Sequence, residues 1–205
     1  MSASVAQDHI AEEDALRADL YNFLGALLSR PPSKDMLEKT RALSGDETEL
    51  GRAIAALARV ASAANEGSLE REYNALFIGM GRGELLPFAS FYMTGFLNEK
   101  PLALLRANME SLGIARADKV HEPEDNIASL CEMMAGLITG RFRETADLAT
   151  QAEFFNRHLG PWAEHFFTDL EAAKSAVFYA PVGAIGRTFM EIEREAFRLA
   201  GENPA

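Results

Sequence analysis

A chain of 205 residues with 48% apolar side chains is long enough for one domain with a buried core, and its composition is not that of a disordered protein. A formal net charge of -11, from 31 acidic against 20 basic residues, opposes nucleic-acid phosphates and anionic lipid and favours a basic partner. A single cysteine, Cys131, cannot close an internal disulfide.

Helical spacing dominates from the start and strand alternation is nearly absent. Leu16, Leu20, Phe23, Leu24, Leu27 and Leu28 recur on one face of a first helix that Arg30-Pro31-Pro32 ends. A short helix comes after Ser33 and closes near Gly45. Leu50, Ile54, Leu57 and Ala61 mark a third that stops by Gly67, and Ser68 is placed to cap a fourth with the stripe Leu69, Tyr73, Leu76 and Phe77. From residue 79 to 95 the pattern breaks, with three glycines in five residues and then Leu85-Leu86-Pro87-Phe88-Ala89-Ser90-Phe91-Tyr92. This segment is too apolar for a linker and reads as an ordered loop.

Helices resume near Pro101 with the stripe Leu102, Leu105, Met109 and Leu112, ending at Gly113, and residues 114–121 form a second loop. Pro123 suits a first helical position, and Ile127, Leu130, Cys131, Met134 and Ile138 give an inward stripe up to Gly140. Three further helices are expected over residues 145–159, 161–179 and 181–200. The result is an all-α, single-domain bundle of eight or nine helices over residues 15–200, with tails at 1–14 and 201–205. No apolar run approaches the ~18 residues that span a bilayer. The first fifteen residues are polar and acidic, without a leader's basic-then-apolar order. The expected location is the cytoplasm, with no stable membrane insertion.

Few groupings offer chemistry. Gly79-Met80-Gly81-Arg82-Gly83 has the glycines of a phosphate loop, but it lacks the Gly-Lys-Ser/Thr ending and comes after a helix rather than a strand. A flexible helix exit is the better account, and a nucleotide-driven switch or enzyme using this loop is the alternative. The four histidines, His9, His121, His158 and His165, have no metal-ligand spacing, and a convergence of His121 with Glu124 and Asp125 has nothing in its favour. Cys131 sits on an apolar stripe and reads as a small core residue. No catalytic group stands out and no cofactor or metal is expected.

Two blocks remain. In Glu122-Pro123-Glu124-Asp125-Asn126, Glu122 reads as an N-cap and Pro123 as the first helical residue, so Asp125 falls at N3, where its carboxylate suits the helix dipole. The second reading has Glu124 and Asp125 receive a partner's guanidinium. Upstream, Glu72-Tyr73-Asn74-Ala75-Leu76-Phe77 places aromatic and aliphatic groups on one helical face, as core or as groove.

In this order the blocks resemble the TorD/DmsD/NarJ family of redox-enzyme maturation chaperones, over residues 16–197. Further marks are Pro87 with Ser90 and Tyr92, and the run Phe154-Phe155-Asn156-Arg157-His158-Leu159-Gly160-Pro161-Trp162, with Phe178-Tyr179 and Glu193 beyond it. The resemblance implies an all-helical, TorD-like cytoplasmic chaperone, not an enzyme. Its implied partners are the twin-arginine signal peptide and the catalytic subunit of a molybdenum-containing oxidoreductase, whose export it holds back until the cofactor is inserted. An assembly factor gripping only the folded reductase core is a further alternative. The peptide-binding residues it implies are Tyr73, Leu76, Phe77, Pro87, Ser90, Tyr92, Glu122, Pro123, Glu124, Asp125 and Asn126. Where Asn126 stands the family usually has a histidine. Asn takes no proton near neutral pH but can still hydrogen-bond a peptide. Pro161 is expected to start a helix, Trp162 to fill the core and His158 to pack or cap. Either a monomer or a segment-exchanged dimer is expected.

Magnitudes divide the work of such a site. Exposed Arg–carboxylate pairs contribute only ~0.2–1 kcal/mol each, whereas burying four leucine-like side chains contributes ~6–12 kcal/mol. Ordering the peptide costs back ~2–5 kcal/mol, which leaves low-micromolar binding. An apolar groove would therefore supply affinity, and acids would supply orientation.

Overall fold

The computed structural model describes residues 10–116 and 122–202. Ten α-helices succeed one another: α1 (Glu12–Ser29), α2 (Lys34–Arg41), α3 (Glu49–Ala63), α4 (Glu66–Tyr73), α5 (Ala89–Thr94), α6 (Lys100–Leu112), α7 (Ile127–Thr139), α8 (Leu148–His158), α9 (Ala163–Ala172) and α10 (Tyr179–Glu202). A π-turn, Asn74–Ile78, extends α4. Among the described residues there is no strand, only an isolated bridge between Phe88 and Asn126. The all-α architecture is as expected, with one helix more than the spacing predicted. The addition is α5, six residues inside the apolar segment expected to be loop. No helix among the described residues is long and apolar enough to cross a membrane.

At the centre lies α7. Ten of its thirteen residues are buried, among them Ile127, Leu130, Cys131, Met134 and Ile138, so the expected stripe is part of a helix apolar nearly all round. Such a helix must be covered on several sides. α1 covers one side with Tyr21, Leu24 and Leu28, while Leu16, expected on that face, is exposed. α8 packs on another side, and α9 pairs with α10, which also meets α3. A Cβ at Gly186 would stand 2.1 Å from the Phe167 ring, so a glycine lets α10 lie this close to α9. Cys131 is fully buried, and burial pushes its thiol up.

Side-chain caps set several boundaries. Ser33, Thr48, Asn65, Asn126 and Asp147 each accept an amide hydrogen bond at the start of a helix. Two starts differ from expectation. Ser68 does not cap α4 but closes a reciprocal capping box with Asn65, three residues earlier. α8 begins at Leu148 behind Asp147, because Asp147 offers a carboxylate to the Thr150 amide. Pro161 lies in the turn before α9, which opens at Ala163, while Pro181 sits in the first turn of α10. Trp162 fills the core as expected and donates its indole N–H to the His158 carbonyl at 2.7 Å.

One buried ion pair ties the two ends of the chain together. Glu193 on α10, 1% exposed, accepts from Arg17 Nε at 2.7 Å and Arg17 Nη2 at 2.8 Å. Tyr21 Oη adds a third bond at 3.1 Å. Losing one partner of such a pair strands the other in low dielectric. Glu193→Ala is expected to destabilise the fold by about 3–5 kcal/mol, read as a lower urea midpoint. The pair Arg17→Met/Glu193→Leu should recover much of that loss, because no stranded charge remains.

Candidate functional site

The two blocks singled out from the sequence do meet, through the loop before α5. Ala89 donates its amide to the Asp125 carbonyl at 2.9 Å, and Ile127 donates to the Pro87 carbonyl at 2.9 Å. Asp125, 1% exposed, accepts from the Ser90 amide at 2.8 Å and the Ser90 hydroxyl at 2.5 Å, both on Oδ2. Its Oδ1 has no hydrogen-bond partner among the described residues.

The expected cap geometry is corrected here. The N-cap of α7 is Asn126, whose side chain accepts the Ala128 amide at 2.9 Å; Glu122 and Pro123 precede the helix. Asp125 therefore never reaches N3. Its carboxylate turns away and caps the first turn of α5 instead. Asn126 explains itself locally, since an amide oxygen caps a helix better than an imidazole does.

Glu124 does receive a guanidinium, but from within the chain. Its Oε2 accepts from Arg106 Nε at 3.0 Å and Nη2 at 2.8 Å, and Arg116 lies 3.4 Å from Oε1. Burial alone would raise this carboxyl; the Arg106 hydrogen bonds and the two positive charges outweigh it and hold the group below the usual range. Glu122 remains exposed. Burial, and secondarily the Glu122 charge, push the Tyr73 phenol up to about 12.

The aromatic face turns mostly inward. Tyr73 and Leu76 are buried and Phe77 is half-buried, stacked with Tyr73 and Tyr179 at centroid distances of 4.9 and 5.5 Å. Tyr73 donates its hydroxyl to the Leu28 carbonyl at 3.2 Å. Pro87 and Ser90 are buried too. Tyr92 packs on Trp162 and Phe166 and donates to Asp169 at 2.9 Å. Glu72 acts as a fastener. Its Oε1 accepts from the Val177 and Tyr179 amides at 2.7 and 2.8 Å, where α10 begins. Glu84 does the same for the Lys174 and Ser175 amides at 2.7 and 3.1 Å.

The glycines after the π-turn have a packing reason. Gly79 adopts φ +61°, and a Cβ there would stand 1.9 Å from the Arg82 carbonyl. The chain folds straight back, Glu84 and Leu85 donating to the Ala75 and Leu76 carbonyls at 3.1 and 2.8 Å. The tight reversal leaves the glycines without need of a phosphate. Among the described residues no three His, Cys, Asp or Glu side chains group to hold a metal ion; His9 and His121, with the second half of the loop at 114–121, lie outside those residues.

The open surface lies next door. A cleft of about 580 Å³ runs between α5, α6 and the end of α8, lined by Met93, Thr94, Lys100, Pro101, Leu104, Ala107, Asn108, Ser111, Arg157 and His158. Leu104 is 56% exposed, and Phe96 on the approach is 70% exposed. Of the twelve large hydrophobics exposed among the described residues, six fall within residues 78–104: Ile78, Met80, Met93, Phe96, Leu97 and Leu104. Met93 and Leu104 line the cleft itself, and exposed apolar side chains in a concave site mark a candidate interaction surface. His158 supplies the polar floor, its Nε2 lying 3.0 Å from Asn108 Oδ1. Burial, helped by Arg157, holds the imidazole down to about 4, hence neutral.

The sequence points to none of the cleft residues as a binding surface: Pro101 marks a helix start, and Arg157 and His158 belong to a run expected to be scaffold. The signal was present all the same. Pro101, Leu104, Asn108 and Ser111 recur at three and four residues, a second face of α6 beside the core stripe.

The fold and cleft together define an all-helical protein that presents an apolar trough between α5, α6 and α8. Comparison with known proteins specifies it further. The family described as nitrate reductase delta subunit matches residues 44–168. A chaperone protein TorD from Aliivibrio salmonicida is 26% identical over 207 residues, covering 91% of this chain and 95% of that protein. A chaperone protein TorD from Vibrio cholerae is 24% identical over 198 residues, covering 87% and 90%. A crystal structure of a candidate redox enzyme maturation protein from Archaeoglobus fulgidus superposes with a TM-score of 0.56 at 21% identity, covering 93% of this chain and 99% of that one. The chain belongs to the nitrate reductase delta subunit family and is a redox-enzyme maturation chaperone of the TorD type, not an enzyme.

Two substitutions probe the site's polar groups. Asp125→Ala should free the start of α5 at a cost of about 1 kcal/mol, seen as faster amide exchange over residues 88–94. His158 is held neutral when folded but takes a proton near 6.5 when unfolded, so the unfolded state binds more protons below that pH. Stability should fall by about 2 kcal/mol between pH 7 and pH 5, and His158→Gln should flatten that loss in urea titrations at the two pH values.

Proposed function

We propose that this chaperone binds the twin-arginine signal peptide of a molybdenum-containing oxidoreductase in the cytoplasm, and holds back export until the cofactor is inserted. One observation carries the reading: the exposed apolar cleft along α6, on a protein otherwise rich in acid. From Lys100 to Ser111 the helix rises about 16 Å, and an apolar segment of ~12 residues wound as a helix is about 18 Å long. The lengths match. A helix laid in this trough would cover Met93, Pro101 and Leu104, and such burial supports micromolar binding.

The implied residue set takes a supporting place in this reading. Ser90 and Tyr92 belong to α5, whose start Pro87 and Asp125 hold, while Tyr73, Leu76 and Phe77 pack into the core beneath the π-turn. Glu124 is already paired, so Glu122 is the acid of its block left to meet a guanidinium. Pro123 and Asn126 set the entry to α7.

The test is calorimetric titration of a synthetic peptide with Arg-Arg ahead of twelve apolar residues. Leu104→Asn should weaken binding by about tenfold or more with the melting curve unchanged. Leu76→Asn is no substitute, since Leu76 is fully buried and a polar group there is expected to cost stability as well as binding. Equal affinity of the native chain and Leu104→Asn would remove the cleft from the reading. Retention of a client lacking its signal peptide, with no response to the peptide itself, would favour a grip on the reductase core.

A further inference from the structure

This inference rests on the proposal that the cleft along α6 receives the apolar part of a signal peptide. The cleft does not stop at Ser111. That residue also lines a second cavity of about 310 Å³, which reaches Asp147 and Thr150 at the start of α8. Thr145, Ala146 and Asp147 in turn line a third, of about 480 Å³, where the first turns of α1 and α8 meet the end of α10. Shared walls join the three into one furrow that follows α8 backward from His158 to Asp147, about 16 Å at 1.5 Å per residue.

The chemistry changes along the furrow. The α5 end has Met93, Pro101, Leu104 and Ala107 and no acid. The far end has Glu13, Asp14 and Asp147, and Glu144 lines the cavity between. The base at the far end, Arg17, is already engaged by the buried Glu193 at 2.7 Å and by Asp14 at 2.6 Å. Arg143, the base of the middle cavity, lies against Gly113. Glu13 and Asp147 are exposed, and neither forms an ion pair among the described residues. Hydrogen bonding from Thr150 holds the Asp147 carboxyl below its ordinary range, hence charged. The acidic block before α7 has no such surplus. In its own cavity Glu122, Glu124 and Glu132 face Arg116 and Arg141, and Arg106 brings a third guanidinium to Glu124.

A twin-arginine peptide carries two guanidinia ahead of an apolar stretch, and the furrow offers acids at one end and an apolar trough at the other. We propose that the arginine pair docks at the α1/α8 end of the furrow, on Glu13 and Asp147, while the apolar stretch runs along α6 toward Pro101. Twelve helical residues fill the 16 Å from Lys100 to Ser111, so the arginines ahead of them begin in the middle cavity, which Asp147 also lines. Both carboxylates are exposed, so each pair contributes little, and their effect is selectivity more than affinity. Glu122 is not needed for the cations in this arrangement.

The experiment uses the full chain and two synthetic peptides, with Arg-Arg or Gln-Gln ahead of the same twelve apolar residues. Calorimetric titration at low ionic strength should favour Arg-Arg by about fivefold, an advantage that shrinks at high salt. The variant Glu13→Gln/Asp147→Asn removes two exposed charges and keeps a side-chain oxygen at the start of α8. It should bind both peptides as the native chain binds Gln-Gln. The charge-matched variant Glu122→Gln/Glu132→Gln should keep the fivefold advantage. An advantage that survives in the first variant, or is lost in the second, overturns the inference while peptide binding stands. Equal affinity of the native chain for both peptides overturns it in the same way. If neither peptide binds, the reading of the cleft as a signal-peptide site falls, and this inference with it.

Discussion

A helix that is apolar on nearly every side cannot end the folding process exposed, and the burial of α7 is the constraint that governs the rest of the molecule. α1 and α8 press on it, and the segment around Pro87 closes over its first residue through the Ile127–Pro87 bond. Hydrophobic burial on this scale outweighs any single polar contact in the structure. The polar groups near the start of α7 are accordingly arranged around it: Asn126 caps it, Asp125 caps its neighbour α5, and Glu124 holds Arg106. The periphery is left to the short α5 and the outer face of α6, which together leave an apolar trough open.

That arrangement separates two tasks that lie interleaved along the chain. Residues packed between helices keep α5 in place, while residues on the outer turn of α6 meet solvent. The hydrogen bonds from Ser90 to Asp125 make α5 a consequence of where α7 starts. A guest chain laid on α6, as proposed, would rest on the buried block without touching most of it.

The helical class and the positions of most helices could be read directly from spacing, because the stripes of α3, α6 and α7 are regular and glycine or proline marks several ends. α5 was hidden. Six residues are too few to show a period, and its first turn is capped by a carboxylate 35 residues away, which no local pattern reveals. The same non-local bond explains why Asp125 departs from expectation, since its position after Pro123 suggests a role in its own helix. Tyr73 and Leu76 do share one face, but periodicity gives the face and not its cover; here Tyr179 and the Leu28 carbonyl supply that. Leu104 escaped because the inward stripe of α6 already accounted for the helix. An outward hydrophobe becomes informative only when Met93 is seen to line the same cleft.

The carboxylates of Glu72 and Glu84 grip the stretch between α9 and α10 from a part of the chain about a hundred residues earlier. On a ribosome that earlier part emerges first. The berth for the last helix can thus be built before that helix is made, and the C-terminal pair arrives as a closing piece. Arg17 waits for Glu193 about four turns further along the same helix. Synthesis from one end to the other and the assembly of this molecule then run in the same direction.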